Sequence, residues 1–189
     1  MQTKNIIIAG VGGQGTLLTS RILGGIARRA GYDVKVSEVH GMAQRGGSVV
    51  TYVRYGDSVG EPLVEEGQAD ILIAFEQLEA LRYIHFLKKD GVLVLNDQQI
   101  FPAAVITGVV SYPDDIVSEL KKRRKVIAID ARSKAAELGN VRVFNSIIVG
   151  MAAKSMGFSK EEWLLVIRET VRADMVEINE KAFLLGYNS

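Results

Sequence analysis

Six residues near the N-terminus, Gly10-Val11-Gly12-Gly13-Gln14-Gly15, stand between a β-branched run, Ile6 to Ala9, and a stretch in which Leu17, Leu18, Ile22, Leu23 and Ile26 recur at helical spacing. No other feature of the chain restricts its fold as much. A strand that enters a helix through G-x-G-x-x-G spacing opens a βαβ unit, in which glycine admits positive φ and backbone N–H groups can meet an anion at the helix start. On this spacing alone, phosphate binding and plain tight packing carry equal weight. A dinucleotide would also require an acidic residue at the end of the second strand, and Glu38 stands somewhat later than that position usually falls.

The rest of the chain predicts a Rossmann-like α/β fold, with a mostly parallel sheet, helices on both faces and a helical C-terminal segment. Gly31 is expected to end the first helix, and Asp33 to Val39 to form the second strand. Ser48 to Tyr55 reads as a third strand. The connection between them is too short for a crossover helix, so the third strand is expected to run antiparallel to the second or to leave the sheet. Gly56-Asp57-Ser58 marks a turn, and the stretch to Gln68 reads as irregular and exposed. Ile71 to Phe75 and Val92 to Leu95 bracket a predicted helix carrying Leu78, Leu81, Ile84 and Leu87, with Gly91 past its lysine-rich end. Asp114 is expected to cap a helix through about Lys122, ahead of a strand at Val126 to Ile129. After Asn140 the pattern is helical, and Ser159 and Glu162 have capping-box spacing. With no linker or repeat, 1–189 reads as a single domain.

Composition excludes several functions. The 23 Lys and Arg nearly balance the 22 Asp and Glu, so no overall field draws the chain to nucleic acid or an anionic membrane. Lys121 to Lys125, the densest charge run, is expected to complement a helix C-terminus, and Glu61, Glu65 and Glu66 to form a solvated face. Apolar runs are strand-sized, far below the roughly 18 residues of a membrane span, and the first residues lack secretory-signal features, so a cytoplasmic protein is expected. The sequence contains no cysteine, hence no disulfide, thiolate nucleophile or cysteine-ligated cluster. His85 reads as a packing residue, Trp163 as core or subunit interface, and the sequence offers no ligand set for a metal.

The second glycine-bearing segment, Glu38-Val39-His40-Gly41-Met42-Ala43-Gln44-Arg45-Gly46-Gly47-Ser48, places a histidine, a glutamine and an arginine between glycines beyond the carboxyl end of the second strand. Arg45 offers a planar fork for phosphate or carboxylate, and neighbouring glycine N–H groups can complete an anion nest. His40 is a candidate for active-site closure or for a plain loop hydrogen bond. Together with the first glycine loop, Ala69-Asp70, Ala74-Phe75-Glu76, Glu79-Ala80-Leu81, Asn145, Glu177-Ile178-Asn179 and Ala182-Phe183, this segment resembles the gamma-type module of 2-oxoacid:ferredoxin oxidoreductases along essentially the whole chain. Its His-Gly-Met-Ala-Gln-Arg-Gly-Gly form is similar to the beta subunit of the indolepyruvate enzymes.

The resemblance implies a subunit that is inactive alone and a large partner that carries thiamine diphosphate, magnesium and iron–sulfur clusters. The reaction implied is oxidative decarboxylation of an arylpyruvate, with coenzyme A as acyl acceptor and ferredoxin as electron acceptor. It also implies a coenzyme A contact, for which Gly10, Gly12, Gly13, Gln14, Gly15, Gln44, Arg45, Gly46, Gly47 and Ser48 are the candidates. The alternatives are a self-sufficient NAD- or flavin-binding oxidoreductase and a nucleotide-binding scaffold domain.

Overall fold

The computed structural model describes residues 2–41 and 46–189, so Gln44 and Arg45 lie outside the described residues. In chain order the elements are β1 (Lys4–Val11), α1 (Thr16–Arg29), β2 (Asp33–His40), β3 (Ser48–Gly56), β4 (Ala69–Ala74), α2 (Gln77–Tyr83) and β5 (Leu87–Asn96). There follow α3 (Ala103–Ile106), α4 (Ile116–Arg123), β6 (Lys125–Ile129), α5 (Ala131–Glu137), α6 (Phe144–Ala153), α7 (Lys160–Thr170) and α8 (Val176–Tyr187). The strands form one sheet in the order β2-β3-β1-β4-β5-β6. β1, β4, β5 and β6 run parallel, whereas β3 is antiparallel to both β1 and β2. The short connection before Ser48 therefore inserts β3 between β1 and β2, two strands that α1 would otherwise have made neighbours.

Alternation along β1 sorts its side chains onto two faces. Ile6 and Ile8 join Val53, Ile71, Ile73 and Val94 under α1, α5, α6, α7 and α8. Ile7 and Ala9 join Leu72, Leu93 and Leu95 under α2 and α4. Burial of each large aliphatic side chain contributes roughly 1.5–3 kcal/mol, so the central strands anchor the sheet and everything mounted on their ends. Trp163 is fully buried in the first layer, stacked on Phe183 at 5.9 Å, which makes it a core residue.

Two local expectations need correction. The helix after β4 ends at Tyr83, and Leu87 begins β5, where it pairs with Ala69 and is 2% exposed. Gly91 accordingly lies inside an irregular part of the strand, where a Cβ would come within 2.6 Å of Leu87 Cδ1. Asp115, with φ of 53°, occupies the position before α4 that Asp114 was expected to fill, and its side chain makes no capping bond. The stretch between β3 and β4 is irregular as read, although it buries Val59 and Val64.

Candidate functional site

The parallel strands end together at Val11, Ala74, Asn96 and Ile129, and buried side-chain amides tie those ends into one platform. Gln14 accepts from the Val11 N–H through Oε1 at 2.7 Å and donates from Nε2 to the Phe75 carbonyl at 3.1 Å. Asn96 donates to the same Phe75 carbonyl at 3.0 Å and accepts from the Ala131 N–H at 3.0 Å. Gly10 leaves room for this: a Cβ there would lie 3.1 Å from Gln14 Oε1 and 3.3 Å from Phe75 Cβ. Gly10 and Gln14 thus shape the turn, and both ends of the Gln14 amide are engaged within the protein.

On this platform the two glycine segments run side by side. The Gly12 N–H donates to the Gly47 carbonyl at 2.9 Å, and the Gly46 N–H to the Gly12 carbonyl at 3.4 Å. Gly15 precedes α1 with φ of 89°, and a Cβ there would sit 2.6 Å from Asn145 Nδ2, so a side chain is excluded on both counts. The start of α1 carries no acidic residue in its first turn and presents N–H groups that have no acceptor one turn earlier.

These N–H groups border a cleft of about 500 Å³ lined by Gly12, Gly13, Gly15, Thr16, Glu38 and His40, among others. Glu38 reaches from β2 to the start of α1. Its Oε2 accepts from Thr51 Oγ1 at 3.1 Å and lies 3.5 Å from Thr16 Oγ1. The inserted strand explains this geometry, because Thr51 is the register partner of Glu38 on β3 and holds the carboxylate where the missing adjacent strand would have carried an acid. The exposed His40 lines the same cleft, and its Nδ1 lies 3.1 Å from the Gly41 carbonyl. Electropositive helix start and single carboxylate line the cleft together, an arrangement suited to a phosphate ester with free hydroxyl groups.

Gly46, Gly47 and Ser48 line a second, smaller cleft of about 210 Å³ together with Glu76, Glu79 and Arg82. The two candidate segments are therefore brought together, with Glu38 and His40 in the larger cleft beside the first glycine turn and Gly46 to Ser48 in the smaller one. Glu76 is 1% exposed, caps α2 by accepting from the Glu79 N–H at 2.9 Å, and accepts from Tyr112 Oη and, at 3.0 Å, from the Ile100 N–H. Burial, and then this bond to Glu76, push the Tyr112 hydroxyl pKa upward. Glu79 accepts from Ser48 Oγ at 2.5 Å and pairs with Arg82 at 3.3 Å. Burial raises its carboxyl pKa, with Glu76 adding to the rise, while Ser48 and Arg82 act in the opposite direction. Sequence reasoning missed Glu76, Glu79, Thr16, Thr51 and Asn96 as site-shaping residues. The one available signal was the Glu76-x-x-Glu79 spacing of a carboxylate helix cap.

Among the described residues no group of three or more His, Asp or Glu is placed to hold a metal ion, and no helix is long and apolar enough to cross a membrane. His85 packs its ring on Phe86 at 4.5 Å and lies 3.7 Å from Glu66, away from both clefts.

Comparison with known proteins agrees with this architecture. The family model for pyruvate ferredoxin/flavodoxin oxidoreductase matches residues 5–189. Indolepyruvate oxidoreductase subunit IorB of Archaeoglobus fulgidus is 47% identical over 97% of this chain and 94% of its own length. The crystal structure of the keto/oxoacid ferredoxin oxidoreductase gamma subunit from Geobacter sulfurreducens superimposes with a TM-score of 0.73 at 26% identity, covering 98% of this chain and 96% of that one. The fold also recurs, with a TM-score of 0.74 at 19% identity, within 31% of the longer chain of a 2-oxoglutarate:ferredoxin oxidoreductase from Magnetococcus marinus, while covering all of this chain. The match of the family model to nearly the whole chain, with the identity to a curated subunit over almost its full length, places the chain in the pyruvate ferredoxin/flavodoxin oxidoreductase family as one of its gamma-type modules.

Proposed function

We infer that this chain is the small subunit of a cytoplasmic thiamine-diphosphate-dependent oxidoreductase that decarboxylates an aryl 2-oxoacid such as indolepyruvate, with coenzyme A taking the acyl group and ferredoxin two electrons. The observation that carries the reading is the 47% identity to an indolepyruvate oxidoreductase subunit across nearly the whole of both chains. Thiamine diphosphate, magnesium and iron–sulfur clusters are assigned to a large partner subunit, where the thiamine supplies the carbanion chemistry. The absence of cysteine here accords with that division, because cluster iron is held by thiolates. The chain is inactive alone.

Its own contribution is to cover the active site and hold coenzyme A. The donor set fits such a ligand: N–H groups of Gly13, Gly15 and Thr16 at the start of α1 suit a diphosphate, and Glu38 suits an uncharged sugar hydroxyl. Gly10 and Gln14 position this turn, whereas Gly12, Gly46, Gly47 and Ser48 bring the second segment beside it. Gln44 and Arg45 are proposed from the sequence as polar contacts, and His40 as a residue of closure. The Magnetococcus protein of the same fold is described with coenzyme A and succinyl-CoA bound, which supports the ligand class.

Coexpression with the large subunit and assay across several 2-oxoacids tests the reading. Arg45→Ala should weaken use of coenzyme A or 2-oxoacid roughly ten- to hundredfold without loss of assembly. Unchanged constants for both ligands would remove Arg45 from the site. A second reading, a self-sufficient NAD-binding enzyme, is favoured by the placement of Glu38 in the same cleft as the glycine turn. Calorimetric titration separates the two, since tight NAD binding that is lost in Glu38→Ala would select the second.

A further inference from the structure

The Glu79 carboxylate is not needed by its own helix, because Glu76 already caps α2. Its side chain is only 6% exposed and reaches across the smaller cleft to Ser48, at the first position of β3. Taking a carboxylate out of water is costly unless its lone pairs are satisfied, and an apolar side chain would pack there at lower cost. What the carboxylate adds is a directional tether. Ser48 is the register partner of Val11, and the residue before it, Gly47, supplies the carbonyl that accepts the Gly12 N–H. A fixed Ser48 therefore fixes the bridge between the two glycine segments, which joins Gly12, in the lining of the larger cleft, to Gly47, in the lining of the smaller.

We propose that Glu79 is a positioning residue: through its bond to Ser48 and its ion pair with Arg82 it latches the start of β3 and so sets the glycine turn that borders the larger cleft. Groups facing the latch are Arg82 from α2, Glu76 from the cap of that helix, Ser48 from β3, and Tyr112 from the segment before α4, which reaches Glu76. None of them reaches the larger cleft, so the latch acts on a ligand only through the backbone. The consequence for coenzyme A rests on the function proposed above; the latch itself does not.

Amide exchange in the full chain, read residue by residue by NMR, tests the latch independently of any ligand. In Ser48→Ala the Gly12 N–H should exchange roughly tenfold faster, while the β4 and β5 amides stay unchanged. Glu79→Gln keeps an acceptor of the same shape without the charge and should produce a smaller increase. The double variant should exchange no faster than Ser48→Ala alone, because both changes act on one bond. An unchanged Gly12 N–H in Ser48→Ala, or additive effects in the double variant, would overturn the latch. In the assembled enzyme, Ser48→Ala should raise the KM for coenzyme A more than it lowers kcat, and Ser48→Thr, which retains the hydroxyl, should restore it. If Gly12 exchange responds and that KM does not, the latch stands and the coenzyme A reading of the larger cleft falls.

Discussion

Gln14 and Glu79 illustrate how single buried polar residues organise this end of the sheet. Gln14 is 9% exposed and through one amide bonds the last residue of β1 and the residue that follows β4. Gln14→Ala should destabilise the chain by about 1–3 kcal/mol, because the Val11 N–H is left without its partner in a buried setting. Urea unfolding of the variant measures this, and a loss below a few tenths would show that the amide is dispensable. The Glu79 carboxyl, raised by burial above its ordinary 4.5, makes a different prediction. The native state holds that proton more tightly than the unfolded chain, so this contribution to stability falls as pH rises from 4.5 through the raised native value. The unfolding free energy of Glu79→Gln minus that of the wild type should therefore increase across that window and level off above it. Asp130, Glu162 and Asp174, whose pKa values are lowered, contribute stability that is lost as pH falls, but they are common to both proteins and cancel in the difference. A difference that is flat with pH would show that Glu79 does not titrate in this range.

At the scale of elements, the closest helix crossing is the sharpest constraint. A Cβ on Gly150 of α6 would lie 2.2 Å from the Phe183 carbonyl oxygen, and one on Gly186 of α8 would lie 1.9 Å from that of Ile147. Gly150→Ala must push the two helices apart, at a cost of roughly 1–3 kcal/mol or more. Ser159→Ala, which removes a capping-box hydroxyl, should cost about 1 kcal/mol without moving the helices. Thermal melting of both variants checks the ranking. The capping box was legible because its two residues are three apart and act on each other. The crossing was not, since nothing near Gly150 announces that its partner lies more than thirty residues away. The boundary between α2 and β5 failed for a related reason: Leu87 continues a helical spacing, but its side chain belongs to the layer under α2 and α4 only if the chain has already turned into the strand.

For the whole molecule, the full chain purified by itself should be colourless and turn over no 2-oxoacid with a ferredoxin surrogate, and should gain colour and turnover on assembly with a large thiamine- and cluster-binding subunit. Absorption spectra and turnover before and after mixing check this. A cluster spectrum or turnover from the chain alone would remove the proposed division of labour. Much of the candidate site was legible at this scale, because a glycine turn after a first strand and a glycine-bearing segment after a second both fall on the carboxyl edge of a parallel sheet.

Local physics determined a good deal by itself. Alternating β-branched runs, helical periodicities and two glycine segments specify an α/β chain with its loops gathered at one sheet edge, and the lack of cysteine removes thiolate chemistry from it. Tertiary structure alone decided that β3 enters between β1 and β2, that Glu38 is thereby held beside the start of α1 by Thr51, and that Gly46 to Ser48 line a different cleft from Gly12, Gly13 and Gly15. Strand order depends on which edges exchange backbone hydrogen bonds, and the positions of Glu76, Glu79 and Asn96 depend on partners 21 to 36 residues distant. Such pairings leave no periodicity in the sequence, because the bonds that establish them form only when the sheet does.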